Sequence, residues 1–576
     1  MENKEIARIL QETADLMEIG GEDAFRIRSY RNAAAAIEGH PERIADLLHH
    51  PGRKVTDIPG IGKGLAAVLG EIAARGSSER RDAWLARFGP VALDMLRIQG
   101  LGPKSIRLIL DSFPVRSLDD LETLAKAEKL RTLPRLGAKL EEKILRSIEQ
   151  VRRTAGRFLL SFADSIAEEL TGYLAQAPGV EQVAPAGSLR RGKETVGDLD
   201  LLVTGSAAPA AVLDRFVAHA GVREVLGRGD NKASVRFGPQ GLQVDVRALP
   251  RESFGAALQY FTGSKEHNVA IRTRAVRMGL KLNEYGLFRA DTEELIASET
   301  EEQVYAALAL KWIPPEMREN LGEIELAAED RLPRLVKQDE VRGDLHMHTR
   351  ESDGRATLEE MAEAARGLGY EYIAITDHSK ALAMTNGLDE RRVVDFARRC
   401  RELNARGLGI HIFSGLECDI LRDGAMDIAE DALAELDLVV GSVHSHLNLE
   451  PAEMTDRLLR ALESPSLKII GHPTGRLLLH RDGYRFDFER IAEAAVRRGV
   501  WLEINASPER LDLEPALLRM AKARGARFVI ATDAHHPKHL AHMRYGVTVA
   551  RRAWLGPDDI LNTKSLRDFR AALGKS

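Results

Sequence analysis

From residue 341 onward the sequence repeats one unit, in which a short apolar segment ends in polar residues and an amphipathic segment follows. The apolar segments are DLHMHT, YIAITDHS, IFSGLECDI, LVVGSVHS, LKIIGHP, VWLEINA and RFVIATDAHH. This alternation predicts parallel strands separated by helices, arranged as a (β/α)7-type barrel or a wound sheet. In such a barrel the carboxyl ends of the strands share one face, which is where active sites lie.

Potential metal ligands stand at the ends of these strands. They are His346, His348, Asp353, His378, Glu417, His444, His472, Asp533 and His535. A single histidine at a strand end is usually an ordinary polar residue, but nine ligands at one predicted face are not explained in that way. Imidazole mixed with carboxylate suits Zn²⁺, Mn²⁺ or Fe²⁺ better than Mg²⁺ alone. We expect two or three ions, Mn²⁺ or Zn²⁺, in a cluster able to hydrolyse a phosphate ester.

Two carboxylates, Asp198 and Asp200, lie two residues apart in the β-branched and apolar stretch 187–203. On a strand, this spacing points both to one face. Asp245 leaves one face of a second apolar strand, QVDVRAL. An isolated pair of this kind is most often a solvated face or a turn. Three carboxylates, however, can bridge two Mg²⁺ ions, one activating a hydroxyl and the other holding a triphosphate.

The residues that precede this strand favour a bound triphosphate. Gly187 and Ser188 predict a turn with exposed N–H groups, and Arg190 and Arg191 follow them. Backbone N–H groups, a hydroxyl and guanidinium donors are the groups that bind phosphate oxygens. The combination favours a metal-nucleotide site over a solvated strand.

A compact string, YFTGSKEHN at 260–268, follows in the next segment. Its aromatic pair, Tyr260 and Phe261, stands beside Gly263, and Asn268 and Arg272 are one helical turn apart. An aromatic residue here is more often part of the core than a base-stacking surface. The tight string favours a shaped nucleotide pocket.

The first 150 residues predict short helices broken by glycine and proline. Three segments in them resemble each other: DIPGIGKGLAAVL, RIQGLGPKSIRLIL and TLPRLGAKLEEKIL. Each fits a helix-hairpin-helix, whose glycine turn exposes N–H groups at a helix N-terminus to a DNA phosphate. The expected DNA-binding glycines are Gly60, Gly62, Gly100 and Gly102. In the third copy Arg135 replaces the first glycine, so this copy is degenerate and its role can be structural only.

A basic helix precedes the first hairpin. Arg26, Tyr30 and Arg31 lie close together in FRIRSYRNAAAAI. Alone, such a group is a solvated basic face as readily as a binding site. Beside a helix-hairpin-helix it favours a phosphate pocket.

Length and composition bound the class of protein. A chain of 576 residues requires several domains. Residues 1–157 carry a net charge of +4 and the rest carry −9, so net charge alone does not decide for or against nucleic acid. The two cysteines cannot form a disulfide framework, and no apolar run is long enough to span a membrane. The start lacks a signal-peptide pattern. We therefore expect a cytoplasmic protein with no membrane association.

These motifs together resemble a known family over nearly the whole chain. GSLRRGKETVGDLDLLV, QVDVRALP and YFTGSKEHN resemble the palm and nucleotide-pocket motifs of the X-family DNA polymerases. DLHMHT with SDG, ITDH, GLE, SVHSH, GHP and ATDAH resemble the polymerase-and-histidinol-phosphatase (PHP) domain. Their order resembles the bacterial and archaeal family X polymerases that carry a C-terminal PHP nuclease.

The resemblance implies a role for each matching residue. Asp198, Asp200 and Asp245 would hold two catalytic Mg²⁺ ions. Ser188 and Arg191 would bind the dNTP triphosphate, with Gly187 allowing its close approach. Tyr260, Phe261 and Gly263 would line the sugar pocket and help to exclude ribonucleotides. Asn268 would contact the edge of the base, and Arg272 would contact the template. Arg26 and Tyr30 would bind a 5′-phosphate at a gap. The nine PHP residues would carry a 3′→5′ exonuclease, with a further role in processing abasic sites or 3′-phosphates.

The resemblance also divides the chain. We expect a helix-hairpin-helix domain at 1–80, a second helix-hairpin-helix region at 81–157, an α/β nucleotidyltransferase palm at 158–250, a thumb-like nucleotide-pocket subdomain at 251–318, a linker at 319–340 and the PHP domain at 341–576.

The resemblance also implies a function. A monomer would fill short gaps in primer-template DNA during base excision repair and would trim 3′ ends. A small-molecule phosphatase fused to a nucleotidyltransferase, and a non-catalytic DNA-binding scaffold, are the alternatives.

One position departs from the family pattern. Relatives with deoxyribose-phosphate lyase activity carry a Schiff-base lysine in the helix after the first hairpin, and the matching residue here is Val68. A valine cannot form an imine, and Lys63 lies on the turn instead. We expect weak or absent lyase activity of that type.

Overall fold

The computed structural model describes residues 1, 3–38, 43–50, 53–58, 60–382 and 385–574. The chain forms two compact units, Met1–Ala155 and Gly156–Ser576. The boundary between them lies two residues before the one expected at 157.

The first unit is helical in the part described. Two apolar cores hold it together, one centred on Leu10 and Leu69 and the other on Met95 and Ile106. Its helices are α1 (Asn3–Gly20), α2 (Ala24–Glu38), α3 (Ile44–Leu47), α4 (Lys63–Arg75), α5 (Glu79–Phe88), α6 (Val91–Leu96), α7 (Pro103–Ser112), α8 (Leu118–Lys126) and α9 (Ala138–Thr154).

The three sequence repeats share one turn geometry. A backbone N–H donates to the carbonyl three residues earlier in each: Ile61 to Ile58, Leu101 to Ile98 and Leu136 to Leu133. A glycine then precedes the first residue of helix α4, α7 or α9. The residue before the donor has a left-handed backbone in every copy, with φ of 87° at Gly60, 94° at Gly100 and 69° at Arg135. The third copy therefore keeps the hairpin geometry without its glycine.

The second unit begins with an α/β region, the expected palm. Its elements are β1 (Phe158–Leu159), α10 (Leu160–Ala175), β2 (Val180–Pro185), α11 (Gly187–Arg190), β3 (Thr195–Val196), β4 (Asp198–Gly205), α12 (Pro209–Val217), β5 (Val222–Arg228), β6 (Lys232–Phe237) and β7 (Leu242–Leu249). The main sheet has the order β2-β4-β7-β6-β5. Only β4 and β7 pair in parallel; β2-β4, β7-β6 and β6-β5 are antiparallel.

A smaller subdomain follows the palm. Its elements are α13 (Phe254–Thr262), α14 (Lys265–Arg277), β8 (Leu280–Asn283), β9 (Gly286–Arg289), β10 (Leu295–Ala297), α15 (Glu301–Ala307) and α16 (Glu323–Ala328). The three strands form an antiparallel sheet in the order β10-β9-β8.

The segment 319–340, expected to be a linker, is folded into this subdomain. It contains α16, and the Glu323 side chain is fully buried and pairs with His267. Leu335 and Val336 lie in apolar cores, and the Val336 N–H donates to the carbonyl of Leu555. Composition alone does not predict the burial of this acidic, proline-containing segment, because the segment packs against buried cationic and apolar side chains.

The rest of the chain forms the expected barrel. Its elements are β11 (Gly343–Asp344), α17 (Leu358–Gly367), β12 (Tyr372–Ile375), α18 (Glu390–Ala405), β13 (His411–Asp419), α19 (Glu430–Leu433), β14 (Leu438–Ser442), α20 (Pro451–Ala461), β15 (Leu467–Ile470), α21 (Phe488–Arg498), β16 (Trp501–Asn505), α22 (Pro515–Ala523), β17 (Phe528–Ala531), α23 (Met543–Arg552) and α24 (Leu566–Ala572). Seven parallel strands are paired in sequence order, and an isolated bridge from Met347 to Ala534 brings the first strand's end to the last.

Palm and barrel share one continuous apolar core, which includes palm residues such as Leu199 and barrel residues such as Ile504. Ion pairs reinforce the junction: Glu194 of the palm lies 2.7 Å from Arg552 of α23, whose side chain is 7% exposed. None of the helices described here is long and apolar enough to cross a membrane.

We expect Arg135→Gly to stabilise the first unit relative to Arg135→Ala. Both variants remove the exposed side chain, but only glycine adopts φ near 69° without a steric cost of roughly 1 kcal/mol, partly offset by its greater unfolded-state entropy. The measurement is the first thermal transition of the full chain. Equal midpoints for the two variants would contradict the strained turn.

Candidate active sites

The palm carboxylates are brought together by strand pairing. In the parallel pair β4-β7, Asp200 stands directly opposite Asp245, and Asp198 stands opposite Gln243. Burial, followed by repulsion from Asp198 and Asp245, raises the pKa of Asp200 to about 6. A cation placed among these groups would relieve the repulsion, which is the electrostatic condition for a divalent metal site.

Asp245 has a partner that the motif did not indicate. Lys232 on β6 lies 2.5 Å from its carboxylate. Burial raises the pKa of Asp245, but hydrogen bonds from Lys232 and Ser234 outweigh it and lower the pKa. The two facing carboxylates therefore differ, since the pKa of Asp245 is lowered and that of Asp200 is raised.

The glycine turn lies against this site. Gly187 has φ of 60°, and a Cβ at this position would stand 3.0 Å from a carboxylate oxygen of Asp200. Only glycine combines this backbone with so close an approach. Ser188 follows it in the short helix α11, at the N-terminal edge of β4. The structure thus places Gly187 and Ser188 beside the carboxylates.

Arg190 belongs to a buried ion network rather than to an open surface. Its guanidinium makes two 2.8 Å hydrogen bonds to Glu301, which also accepts from the fully buried Arg318 at 2.6 and 3.1 Å. Burial raises the pKa of Glu301, but Arg190 and Arg318 outweigh it and lower the pKa to about 2. This network ties the turn to the thumb-like subdomain.

Arg191 is also engaged by protein groups. It donates to the carbonyl of Thr262 at 2.5 Å and to Glu319 at 3.1 Å. The first contact brings it to Gly263, where a Cβ would stand 3.0 Å from its guanidinium. Two expected binding residues from different segments, Arg191 and Gly263, are therefore neighbours.

Asn268 and Tyr260 are joined by a hydrogen bond. The Asn268 amide donates to the Tyr260 carbonyl at 2.7 Å and accepts from Gln259 at 2.9 Å. Arg272 is exposed, with its Nε donating to the Asn268 carbonyl at 3.3 Å. The adjacent Phe261 packs under the guanidinium of Arg247, at 4.3 Å from its ring centroid. These expected pocket residues form one group on α13 and α14.

In the first unit, the expected phosphate-binding residues line a single cleft of about 810 Å³. Arg26, Tyr30, Gly60 and Gly62 line it, and so does Val68. Arg26 is exposed and paired with Glu22 at 3.1 Å. Tyr30 is 5% exposed. Gly100 and Gly102 lie in the second hairpin turn, at the start of α7.

The nine expected ligands of the barrel meet at the carboxyl ends of its strands. Three groups have ligand atoms close enough together to hold an ion: His348, Asp353, His378 and His535; His346, His348 and Asp533; and His378, Glu417 and His444. His472 joins them through a 2.8 Å contact from Nε2 to Glu417. Shared members make this a continuous cluster.

Several buried polar atoms of this cluster make no hydrogen bond. They are Nε2 of His346, Nδ1 of His348, His378 and His472, and one carboxylate oxygen of Glu417. Unsatisfied buried polar atoms are costly, and mixed imidazole and carboxylate donors at this density fit divalent transition-metal ions. The residues present therefore fit a metal cluster.

The charges in the cluster are strongly coupled. Burial lowers the pKa of His378, but Glu417 and Asp353 outweigh it and raise the pKa to about 10. Burial, with His535 and His378 beside it, lowers the pKa of His348 to about 3. Glu417 lies within 3.6 Å of a ring nitrogen of five histidines: His346, His348, His378, His444 and His472.

Two acidic residues that are not among the nine predicted ligands orient them. Glu503 of β16 accepts from Nδ1 of His346 at 2.6 Å, and Asp419 of β13 lies 2.7 Å from Nδ1 of His444. Such carboxylates fix the ring orientation of a ligating histidine. A carboxylate inside the apolar strand WLEIN was the available signal for Glu503.

Replacing Glu301 by alanine should destabilise the second unit by about 3–5 kcal/mol, because two largely buried guanidiniums lose their shared carboxylate. Glu302→Ala, at the exposed neighbouring position of α15, is the control and should change stability by less than about 0.5 kcal/mol. Thermal unfolding of the full chain measures both. Similar midpoints for the two variants would contradict the network.

Glu503→Gln should weaken metal binding by the barrel about tenfold to a hundredfold, because it removes the charge that orients His346. Competition with a chelator, followed by elemental analysis for Mn²⁺ and Zn²⁺, measures the loss. Glu359→Gln, an exposed position on α17, is the control. Unchanged metal retention in Glu503→Gln would show that this carboxylate does not act on the ligands.

Comparisons with known proteins match four segments of the chain to family models. The family described as DNA polymerase beta thumb matches residues 257–319, and the PHP domain family matches residues 344–507. A helix-hairpin-helix family matches residues 1–78, and a SAM-like helix-hairpin-helix tandem matches residues 92–150.

One relative matches the whole chain, and others match about a third of it. The chain is 36% identical over 577 aligned residues, covering both proteins fully, to a Bacillus subtilis protein named DNA polymerase/3′-5′ exonuclease PolX. A probable phosphatase of Caldanaerobacter subterraneus is 33% identical over 33% of this chain and 75% of its own length. A probable phosphatase of Syntrophotalea carbinolica is 28% identical over 38% of this chain and 90% of its own length. The full-length likeness, the two helix-hairpin-helix matches, the thumb and the barrel confirm the resemblance, and the chain belongs to the family X DNA polymerases that carry a C-terminal PHP domain.

Proposed function

We propose that this protein is a DNA-directed DNA polymerase that fills short gaps and trims unsuitable 3′ ends by a separate 3′→5′ exonuclease, in base excision repair. The register that sets Asp200 opposite Asp245 carries the polymerase half of this proposal. The unsatisfied ligand cluster in the barrel carries the nuclease half. The full-length relative named as a polymerase and exonuclease supports both.

In the palm, Asp198, Asp200 and Asp245 would hold two Mg²⁺ ions. When bound, these ions supply activation of the primer 3′-hydroxyl and neutralisation of the triphosphate. Ser188 and the N–H groups of the turn beside Gly187 bind the incoming dNTP. Its sugar meets Tyr260, Phe261 and Gly263, Asn268 contacts the base edge and Arg272 the template.

Arg191 has a conditional role in this scheme. It is paired with Glu319 and with the Thr262 carbonyl, so it reaches a triphosphate only by exchanging one of these partners. A guanidinium has five donors, which allows it to keep one partner while it binds a phosphate oxygen.

In the barrel, the nine ligands would hold two or three Mn²⁺ or Zn²⁺ ions. When bound, these ions supply a hydroxide nucleophile and stabilise the leaving oxygen of a phosphodiester. Glu503 and Asp419 keep the ligating rings of His346 and His444 in place. Two relatives that match about a third of this chain are named probable phosphatases, which favours removal of 3′-phosphates as a second activity.

The first unit would hold the DNA downstream of a gap. Arg26 and Tyr30 share a cleft with the first hairpin turn, and a 5′-phosphate there would meet the guanidinium and the N–H groups at the start of α4. The hairpins with Gly60, Gly62, Gly100 and Gly102 bind the backbone without reading bases. Each site is built within one chain, so we expect a monomer to suffice, in the cytoplasm.

Asp198→Ala combined with Asp200→Ala should abolish synthesis and leave the exonuclease intact, whereas His346→Ala should do the reverse. The reason is that neither site contributes residues to the other. The assay is extension of a 5′-labelled primer on a one-nucleotide gapped duplex with a 5′-phosphate, with and without dNTPs, in Mg²⁺ and in Mn²⁺.

Asp230→Ala, at an exposed palm position, is the control and should leave both activities unchanged. Shortening without any lengthening would leave a nuclease whose palm only guides DNA. Loss of both activities from one substitution would contradict two separate sites.

Borohydride trapping on a 5′-deoxyribose-phosphate gap should give no covalent protein–DNA adduct. Val68 lines the cleft at the position where a Schiff-base amine is needed, and it cannot supply one. Val68→Lys is the matched variant, since it restores an amine to the same helix face. Efficient trapping by the unaltered protein would show that another amine serves.

A further inference from the structure

A hairpin that follows β15 is fastened to the segment that follows β16. Leu477 and Arg481 exchange backbone hydrogen bonds of 2.8 and 2.7 Å, and the Leu478 N–H donates to the Glu509 carbonyl at 2.7 Å. Arg476 Nε donates to the Arg510 carbonyl at 2.9 Å. The hairpin begins just after the ligand His472, so both segments stand at the rim of the metal cluster.

Arg510 faces this cluster. Its Nε lies 3.5 Å from a carboxylate oxygen of Asp533, and its side chain is 20% exposed. The guanidinium therefore stands beside one candidate metal ligand, at the rim of the site.

Arg481 is a second half-buried cation on the same rim. One of its terminal nitrogens donates to the Gly475 carbonyl at 2.7 Å, while its buried Nε makes no hydrogen bond. Burial, followed by repulsion from Arg510, lowers the pKa of Arg481. Two neighbouring guanidiniums, one with an unused buried donor, form a site that an anion would stabilise.

Two arginines on bonded segments, one beside the metal-binding residues and one on the hairpin, suit a phosphodiester chain better than a single phosphate. Arg510 is next to the metal-binding residues, whereas Arg481 is fixed on the outer hairpin by Gly475 and Leu477. A guanidinium binds phosphate oxygens in a two-pronged geometry. A strand with one phosphate at the metal cluster and the next phosphate outside it would contact both arginines.

We propose that Arg510 binds the phosphate attacked in the barrel and that Arg481 binds the neighbouring phosphate of the same strand. This inference rests on the proposed exonuclease. It assigns the barrel a preference for a strand with at least two consecutive phosphodiesters over a mononucleotide ester.

The test compares two substrates, a single-stranded oligonucleotide and the p-nitrophenyl ester of thymidine 5′-phosphate, which has only one phosphodiester. Arg481→Met should raise KM for the oligonucleotide about tenfold to a hundredfold, the range for a lost hydrogen bond to a charged group. Its kcat should stay within about threefold. Hydrolysis of the mononucleotide ester should not change, whereas Arg510→Met should slow both reactions.

A substrate change gives an independent readout. A neutral methylphosphonate at the neighbouring linkage should raise the KM of the unaltered protein as much as Arg481→Met raises it. In the Arg481→Met variant the same methylphosphonate should not raise KM any further. Such non-additivity is the sign of a direct contact. Arg481→Lys should recover part of the effect, because lysine keeps the charge without the fork.

Two controls separate binding from misfolding. Arg485→Met, at an exposed position four residues on, should behave as the unaltered protein does, and primer extension by every variant should be unchanged. If Arg481→Met slowed both substrates equally, or left the oligonucleotide KM unchanged, the assignment would be overturned while the exonuclease stood. If the unaltered protein degraded neither substrate, the proposed exonuclease would fall, and the assignment with it.

Discussion

Parallel strand pairing is the constraint on which both candidate sites depend, because it holds together side chains that repel or compete when free. In the palm, the single parallel pair sets two carboxylates opposite each other. In the barrel, seven parallel strands bring their carboxyl ends to one rim, where histidines crowd around Glu417. Backbone hydrogen bonds between the strands keep these groups in place. A bound cation would relieve the repulsion among the carboxylates of the palm, and bound metal ions would pair with the unsatisfied ligand atoms of the barrel.

Much of this arrangement could be predicted from local sequence patterns. Period-2 alternation is enough to place Asp198 and Asp200 on one face, and the strand-helix alternation is enough to place nine ligands on one rim. The helix-hairpin-helix turns were predictable from glycine spacing in two copies. These predictions share one basis, since each rests on a pattern that is complete within a few residues of the chain.

What could not be predicted depends on long-range pairing. Glu301 and Arg318 are ordinary charged residues in the sequence, and only the fold shows that they neutralise each other and Arg190. Lys232 beside Asp245 and Glu503 beside His346 are of the same kind. The acidic composition of the segment 319–340 predicts an exposed linker, yet Glu323 is fully buried against His267. Composition does not reveal the partner that makes such burial favourable.

The junction of palm and barrel has a consequence for how this protein can change over evolutionary time. Glu194 is mostly enclosed between Arg552 and Arg476, and Val336 bonds through its backbone to Leu555 and Arg551. Deleting the palm or the barrel would leave buried charged and backbone groups without partners and would also expose the shared apolar core. A lineage that no longer needs one activity is therefore expected to lose it through substitutions at the site itself, and to retain the silent half as a structural support for the other.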